Sequence, residues 1–307
     1  MSLIAKKAAT VLFALATASV ATSCGADGAD RAATSNVPCP ASPINVVVTI
    51  DQWADMTRAI GAKCAEVEVI VATASSDPHE FEPTPNDTAQ FANARVVVMN
   101  GVGYDEWASK TLEANSAKPN VVNAGQLVNA QTGSDPHLWY DPAKVQQVAT
   151  AIAKTLREAN SAAGTYFDER LAEWSADLEP YTQAIEDMKP KAQGKSFAAT
   201  EPVFNAMANA VGLRNATPTG YETAATNEAD PAPGDIAEFE TILRSKAVDV
   251  LIFNKQSTNP TAQRLRDVAT ENDIAVVEVT ETQPNQAKSF MSWQMDQLQS
   301  LAEALDK

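Results

Sequence analysis

The stretch Ile44-Asn45-Val46-Val47-Val48-Thr49-Ile50-Asp51-Gln52-Trp53-Ala54-Asp55-Met56-Thr57-Arg58-Ala59-Ile60-Gly61 changes its period halfway along. Residues 44–50 are dominated by β-branched side chains, which are stiff at χ1 and suit a pleated strand. From Trp53 to Ile60 the apolar positions take up helical spacing, and Gly61 marks the end of the run. A strand that feeds directly into a helix is the start of a βα unit.

The same alternation continues outward. Further strands are expected at Glu66–Val71, Arg95–Met99 and around Val121-Val122. After Asp141-Pro142 the pattern turns helical, first through Val145, Val148, Ile152 and Leu156. A second helical run follows through Phe167, Leu171, Trp174, Leu178, Tyr181 and Ile185. At a rise of about 1.5 Å per residue, a helix of about 25 residues is some 35–40 Å long. Pro180 lies inside it and is expected to kink it. Beyond Gly194, strands are expected at Phe197–Ala199, Val248–Phe253 and Ile274–Val279. Helices are expected at Val203–Val211, at Pro260–Glu271 and through Phe290, Met295, Leu298, Leu301 and Leu305. The expected fold is α/β with two lobes, residues 44–164 and 193–307, each a mainly parallel sheet flanked by helices. One long helix over residues 165–192 joins them. No internal sequence repeat is visible.

The N-terminus sets the compartment. Lys6 and Lys7, an apolar run from Ala8 to Val20 and the small residues Ala21-Thr22-Ser23 read as a signal peptide over residues 1–23. The run is too short for a stable transmembrane helix. Small residues directly before Cys24 resemble a lipobox, in which the cysteine is acylated, although Ala21 stands where Leu is usual. Plain cleavage after Ser23 is the alternative. Residues 24–43, small, polar and Pro-containing, read as a flexible tether. An exported protein is expected, held by lipid on the extracytoplasmic face of the membrane, or periplasmic or secreted if not acylated. In such an oxidising compartment Cys39 and Cys64 are expected to form a disulfide, the alternatives being free thiols or a part in a metal site. A formal charge of −16 argues against nucleic acid or an anionic membrane surface as partner.

The chain has two histidines, and both occur as Asp-Pro-His: Asp77-Pro78-His79 and Asp135-Pro136-His137. Proline fixes the backbone just ahead of each imidazole, and each tripeptide follows a strand, on loops where two-lobed α/β proteins present ligands. Imidazole suits zinc, manganese and iron, and the neighbouring carboxylates can orient it. His-Glu-x-x-His, Gly-x-Ser-x-Gly and Gly-rich phosphate loops are missing from the sequence. With both histidines assigned as ligands, none is left for acid–base work, and an enzyme is not expected.

Asp77-Pro78-His79-Glu80-Phe81-Glu82-Pro83-Thr84-Pro85 and Asp135-Pro136-His137-Leu138-Trp139 resemble the two signature loops of the zinc/manganese solute-binding proteins of bacterial ABC importers. Asn100-Gly101-Val102-Gly103-Tyr104-Asp105, Ala199-Thr200-Glu201-Pro202-Val203-Phe204 and Val279-Thr280-Glu281-Thr282 extend the likeness from about Ile44 to the C-terminus. The resemblance implies two α/β lobes on a rigid backbone helix, with the metal in the interlobe cleft and two ligands from each lobe. It implies His79 and His137 from the first lobe. Glu201 matches a position where the family has His or Glu, and Glu281 matches a late acidic ligand, for which Asp230, Asn254 or water could substitute. Taken alone, Glu201 before Pro202 reads as a carboxylate at a helix N-terminus, and Glu281 as a solvated loop charge. The implied function is capture of Zn²⁺ or Mn²⁺ by a monomer and delivery to a membrane permease. The competing readings are a surface adhesin and an exported zinc hydrolase with two His and one Glu as ligands, using Glu80 or Asp230 as base. Two imidazoles with two carboxylates tolerate Mn²⁺ or Fe²⁺ better than three histidines would, the Irving–Williams order favours Zn²⁺, and the His-rich loop of many zinc-dedicated members is absent.

Overall fold

Val46, Val47, Val48 and Ile50 are almost wholly shielded from water, so the β-branched run forms a strand inside the molecule. The computed structural model describes residues 37–72, 81–131, 133–227, 229–257 and 259–306. The expected signal peptide, Cys24, most of the tether and His79 lie outside these residues.

The first sheet consists of β1 (Ile44–Ile50), β2 (Ala65–Val71), β3 (Val96–Met99) and β4 (Asn120–Asn123), in the order β2-β1-β3-β4. The second holds β5 (Ser196–Ala199), β6 (Arg214–Asn215), β7 (Val250–Asn254) and β8 (Ala275–Val279), in the order β6-β5-β7-β8. Every pairing in both is parallel. In each sheet the chain lays down one strand, adds its second on one side and returns to add its third on the other. Two sheets with no visible sequence repeat thus share one topology.

Helices make the crossovers. In the first half they are α1 (Ala54–Gly61), α2 (Pro85–Asn93), α3 (Glu106–Ala114), α4 (Ala124–Leu127) and α5 (Pro142–Ala159). Then come α6 (Gly164–Asp177) and α7 (Glu179–Ala192), and in the second half α8 (Asn205–Ala210), α9 (Thr219–Thr226), α10 (Pro233–Arg244), α11 (Pro260–Glu271) and α12 (Phe290–Leu305). All residues of the interior strands β3 and β7 are buried, whereas edge strand β2 is mostly half-buried. Helices over both faces of a parallel sheet produce that difference.

The connecting helix is parted at one point. Pro180 has no N–H to return to the preceding turn, so the rod runs as α6 and α7 with Leu178 between them. Leu178 keeps helical dihedrals and its N–H still bonds the Trp174 carbonyl at 3.1 Å. Past the junction the Tyr181 and Thr182 N–H groups both bond the Leu178 carbonyl, at 3.1 Å each.

One buried apolar cluster runs from Val46 and Trp53 through Trp139, Tyr140 and Phe167 to Val250, Val277 and Trp293, and a second packs Tyr221, Phe239, Leu243 and Leu265 against Leu251 of the second sheet. Cys39 and Cys64 form a disulfide with Cα atoms 5.1 Å apart across a sequence separation of 25. Such a loop is worth about 3 kcal/mol on the chain-entropy model. Hydrogen bonds also fasten the turn after β1 to the segment between β8 and α12. Asp51 accepts from the Gln283 N–H at 3.2 Å, and Asp55 accepts from the Phe290 N–H at 2.8 Å. Among the described residues, no helix is long and apolar enough to cross a membrane.

Burial raises the Asp51 carboxyl to about 7, against the smaller opposing pull of the N–H donors. An acid raised in this way favours the fold fully below its unfolded value, near 4, and that favour is lost as pH climbs through about 7. Each unit is about 1.4 kcal/mol, which bounds the loss at about 4 kcal/mol. Asp51→Asn is expected to keep the acceptor and remove the charge. In metal-stripped protein at pH 8 it should raise the thermal midpoint by several degrees, and at pH 4 it should change little. Equal midpoints at pH 8 would show that the buried charge costs nothing.

Candidate metal site

Ligand crevices in open α/β sheets lie beyond the carboxyl ends of the strands, where the strand order reverses. In the first sheet that point falls between β1 and β3, and in the second between β5 and β7. The residues leaving these ends are Asp51-Gln52, Asn100 to Asp105, Thr200-Glu201 and Asn254, and β8 adds Thr280-Glu281.

The turn after β3 is built on a buried carboxylate. Gly101, Val102 and Gly103 all have positive φ, at 74°, 60° and 89°. Glycine adopts this conformation freely, but a β-branched valine is strained there, at about 1–3 kcal/mol. A Cβ on Gly101 would meet Asn123 Oδ1 at 2.3 Å, so a larger residue would have to displace that side chain. The turn is held by Asp105, which accepts from Asn100 N–H at 2.7 Å, Gly101 N–H at 2.8 Å and the Thr49 hydroxyl at 2.6 Å. Asn100 in turn accepts from Trp53 Nε1 at 3.1 Å and donates to the Pro136 carbonyl at 3.0 Å, which ties the second Asp-Pro-His loop to the first sheet.

His137 is buried, with 7% of its side chain exposed. Its Nδ1 lies 2.6 Å from Asp135 Oδ1, which also accepts the His137 backbone N–H at 3.0 Å. Nε2 is thereby turned toward Glu281, with Oε1 at 3.4 Å. Burial alone would lower the imidazole's pKa, but the Asp135 and Glu281 carboxylates outweigh it and push it up to about 10. Trp139 supports the ring edge-on, at 5.3 Å between centroids.

Glu281 is gripped from several sides. Its N–H donates to Gln256 Oε1 at 2.7 Å, and its carbonyl accepts from Gln52 Nε2 at 3.1 Å. Its Oε1 accepts from the Tyr104 hydroxyl at 2.7 Å. Glu281 is thus a part-buried carboxylate hydrogen-bonded across to the first lobe rather than a solvated loop charge. Glu201 precedes a 3-10 turn at Pro202–Phe204, yet its side chain caps nothing there. Its carboxylate turns instead to Asn254 Nδ2, at 2.7 Å, with a further hydrogen bond from Ser257. Burial raises Glu201, and beyond these two donors it feels Glu281 and His137, so the three groups share one electrostatic neighbourhood.

The structure brings together His137 and Glu281 and sets Glu201 near them on the second sheet. Among the described residues, no three His, Cys, Asp or Glu side chains stand close enough to hold an ion, and His79 is outside those residues. Asn254 spends its amide on Glu201, and Asp230 is exposed. Three side chains around the site carry no assignment in the sequence reading: Gln52, Tyr104 and Gln256. Tyr104 lies in a quoted motif without a role, and Gln52 has only its place at a strand end to point to it.

Asp105→Ala would leave the buried Asn100 and Gly101 N–H groups unmet, each at about 1–3 kcal/mol, and would release the strained turn, while the Thr49 hydroxyl keeps the Val98 carbonyl at 3.3 Å. A loss of about 3 kcal/mol or more is expected from the urea midpoint, with a smaller loss in Asp105→Asn. An unchanged midpoint in Asp105→Ala would mean that the turn does not depend on the carboxylate.

A family model described as ZnuA, zinc-uptake complex component A, periplasmic, matches residues 46–304. The high-affinity zinc uptake system protein ZnuA of Bacillus subtilis (strain 168) is 23% identical over 243 residues, covering 72% of this chain and 74% of that protein. The manganese ABC transporter substrate-binding lipoprotein PsaA of Streptococcus pneumoniae serotype 4 is 25% identical over 283 residues, covering 86% and 90%. Among solved structures, the periplasmic zinc-binding protein TroA of Treponema pallidum superposes with a TM-score of 0.73 at 16% identity, over 86% of this chain and 99% of that one. This last likeness establishes the two-lobed fold.

Proposed function

The chain belongs to the ZnuA family of zinc-uptake components, and from that premise we propose that it is the extracytoplasmic solute-binding component of an ABC importer, which captures Zn²⁺ or Mn²⁺ and delivers it to a membrane permease. Relatives named for zinc uptake and for manganese transport support both cations as candidates. The observation that carries the reading is the pairing of His137 Nε2 with Glu281 Oε1 at 3.4 Å. Bonds of about 2.0–2.2 Å to a tetrahedral zinc put neighbouring donor atoms about 3.3 Å apart.

In this reading His79 and His137 from one lobe and Glu201 and Glu281 from the other bind the ion. Asp135 keeps the His137 proton on Nδ1, so that Nε2 is the atom offered. Two neutral imidazoles and two carboxylates neutralise a divalent ion, and Zn²⁺ is bound more tightly than Mn²⁺ by intrinsic preference. Residues 1–23 serve as signal peptide and residues 24–43 as tether, with acylated Cys24 as the anchor. Residues 44–164 and 193–307 are the lobes, and 165–192 their link. The protein acts as a monomer, without catalysis and without nucleic acid. No observation favours the adhesin or hydrolase readings over this one.

Calorimetric titration of metal-stripped protein with each cation tests the proposal. One site of submicromolar affinity is expected, lost in His137→Ala and in Glu201→Ala, and weakened about 10–100-fold in Asp135→Asn. Undiminished binding in both alanine variants would remove the ligand assignment. A wild type that binds neither ion would remove the function.

A further inference from the structure

Tyr104 is wholly buried at the end of the strained turn, and its hydroxyl reaches across to the opposite lobe. It donates to Glu281 Oε1 at 2.7 Å and receives a hydrogen bond from Gln52 Nε2 at 3.3 Å. The same Gln52 nitrogen lies 3.1 Å from the Glu281 carbonyl, so one amide fixes both the phenol and the backbone of the residue it serves. The oxygen that Tyr104 grips is the one facing His137 Nε2 at 3.4 Å. The Tyr104 ring is itself held edge-on against Trp139, 5.3 Å away.

A carboxylate free to turn can give a cation one oxygen or both. Zinc is satisfied by four donors in a tetrahedron, whereas manganese favours six, mostly oxygen. A hydrogen bond that fixes the rotation of the carboxylate therefore bears on which cation is preferred as well as on affinity.

We propose that Tyr104, backed by Gln52, is a positioning and specificity-determining residue that pins Glu281 as a one-oxygen ligand beside His137 and thereby favours four-coordinate zinc over manganese. The inference rests on the metal-capture reading above. Glu281 comes from the second lobe but is held by side chains of the first, so its carboxylate is positioned from across the lobe boundary.

Tyr104→Phe removes the hydroxyl and keeps the ring. Wild type and variant, both metal-stripped, are to be titrated with Zn²⁺ and with Mn²⁺, and their visible spectra compared after loading with Co²⁺. Zinc affinity is expected to fall about tenfold, within the range for outer-sphere partners. Manganese affinity is expected to fall less, which narrows the zinc-to-manganese ratio. The intense cobalt bands of a tetrahedral site should weaken as coordination rises. Gln52→Leu should move all three readouts the same way by a smaller amount, and it decides the matter if Tyr104→Phe does not fold. An unchanged ratio and unchanged cobalt spectrum in a variant of a metal-binding wild type would overturn the role of Tyr104 alone. An equal loss for both cations with the wild-type spectrum would also overturn it, since that is what a merely structural residue would do. Absence of binding in the wild type would instead overturn the function proposed above, and this inference with it.

Discussion

A carboxylate taken out of water must be met by donors, and the three that meet Asp105 shape everything around the site. Two are backbone N–H groups at the start of a turn with three successive positive φ values. The third is the Thr49 hydroxyl, at the end of the neighbouring strand. The turn is too strained to hold its form alone. Once held, it aims Tyr104 across the lobe boundary and sets Asn100 where it can grip the loop that carries His137. Asp105 touches no ligand, yet the positions of His137 and Glu281 both follow from it.

The two sheets contribute unequally. Both place their crevice at the same point of the same strand order, so the fold brings two equivalent openings face to face. The first lobe nonetheless takes hold of the segment after β8, through Gln52, Tyr104, Asp51 and Asp55. Tyr140 adds to this, with its hydroxyl 2.6 Å from the Thr280 carbonyl. Among the described residues, Glu201 is hydrogen-bonded by Asn254 and Ser257 of its own lobe. Of the two second-lobe carboxylates, Glu281 is thus the one that first-lobe side chains grip.

Much of this was legible in the sequence because burial writes a strong periodic signal. The strand Ile44–Ile50 and the helix Pro260–Glu271 have the bounds that their side chains imply. Helix α2 was not expected, since Phe91 is its one buried residue and its start rests on a capping exchange between Thr84 and Asp87. Strand β6 has two residues and no period to detect. At the site, the Asp-Pro-His repeats and the family likeness point to ligands, because metal chemistry restricts the residue types. Nothing in the sequence marks Gln256, and Gln52 is marked only by its place just past a strand end. Any polar side chain of suitable length could occupy such positions, and only the folded geometry shows what their amides reach. Glu201 was marked by the family likeness, while its place before Pro202 taken alone suggests a cap that it does not make.

The aromatic floor beneath His137 has a consequence for how the molecule can be observed. Trp139 is fully buried, with its ring 5.3 Å from the imidazole and 6.4 Å from Trp53. Indole emission responds to a change of charge on a group this close. If His137 takes the ion as proposed above, Trp139 is an optical reporter built in under the site. Arrival and departure of the ion could then be followed by tryptophan emission in unlabelled protein.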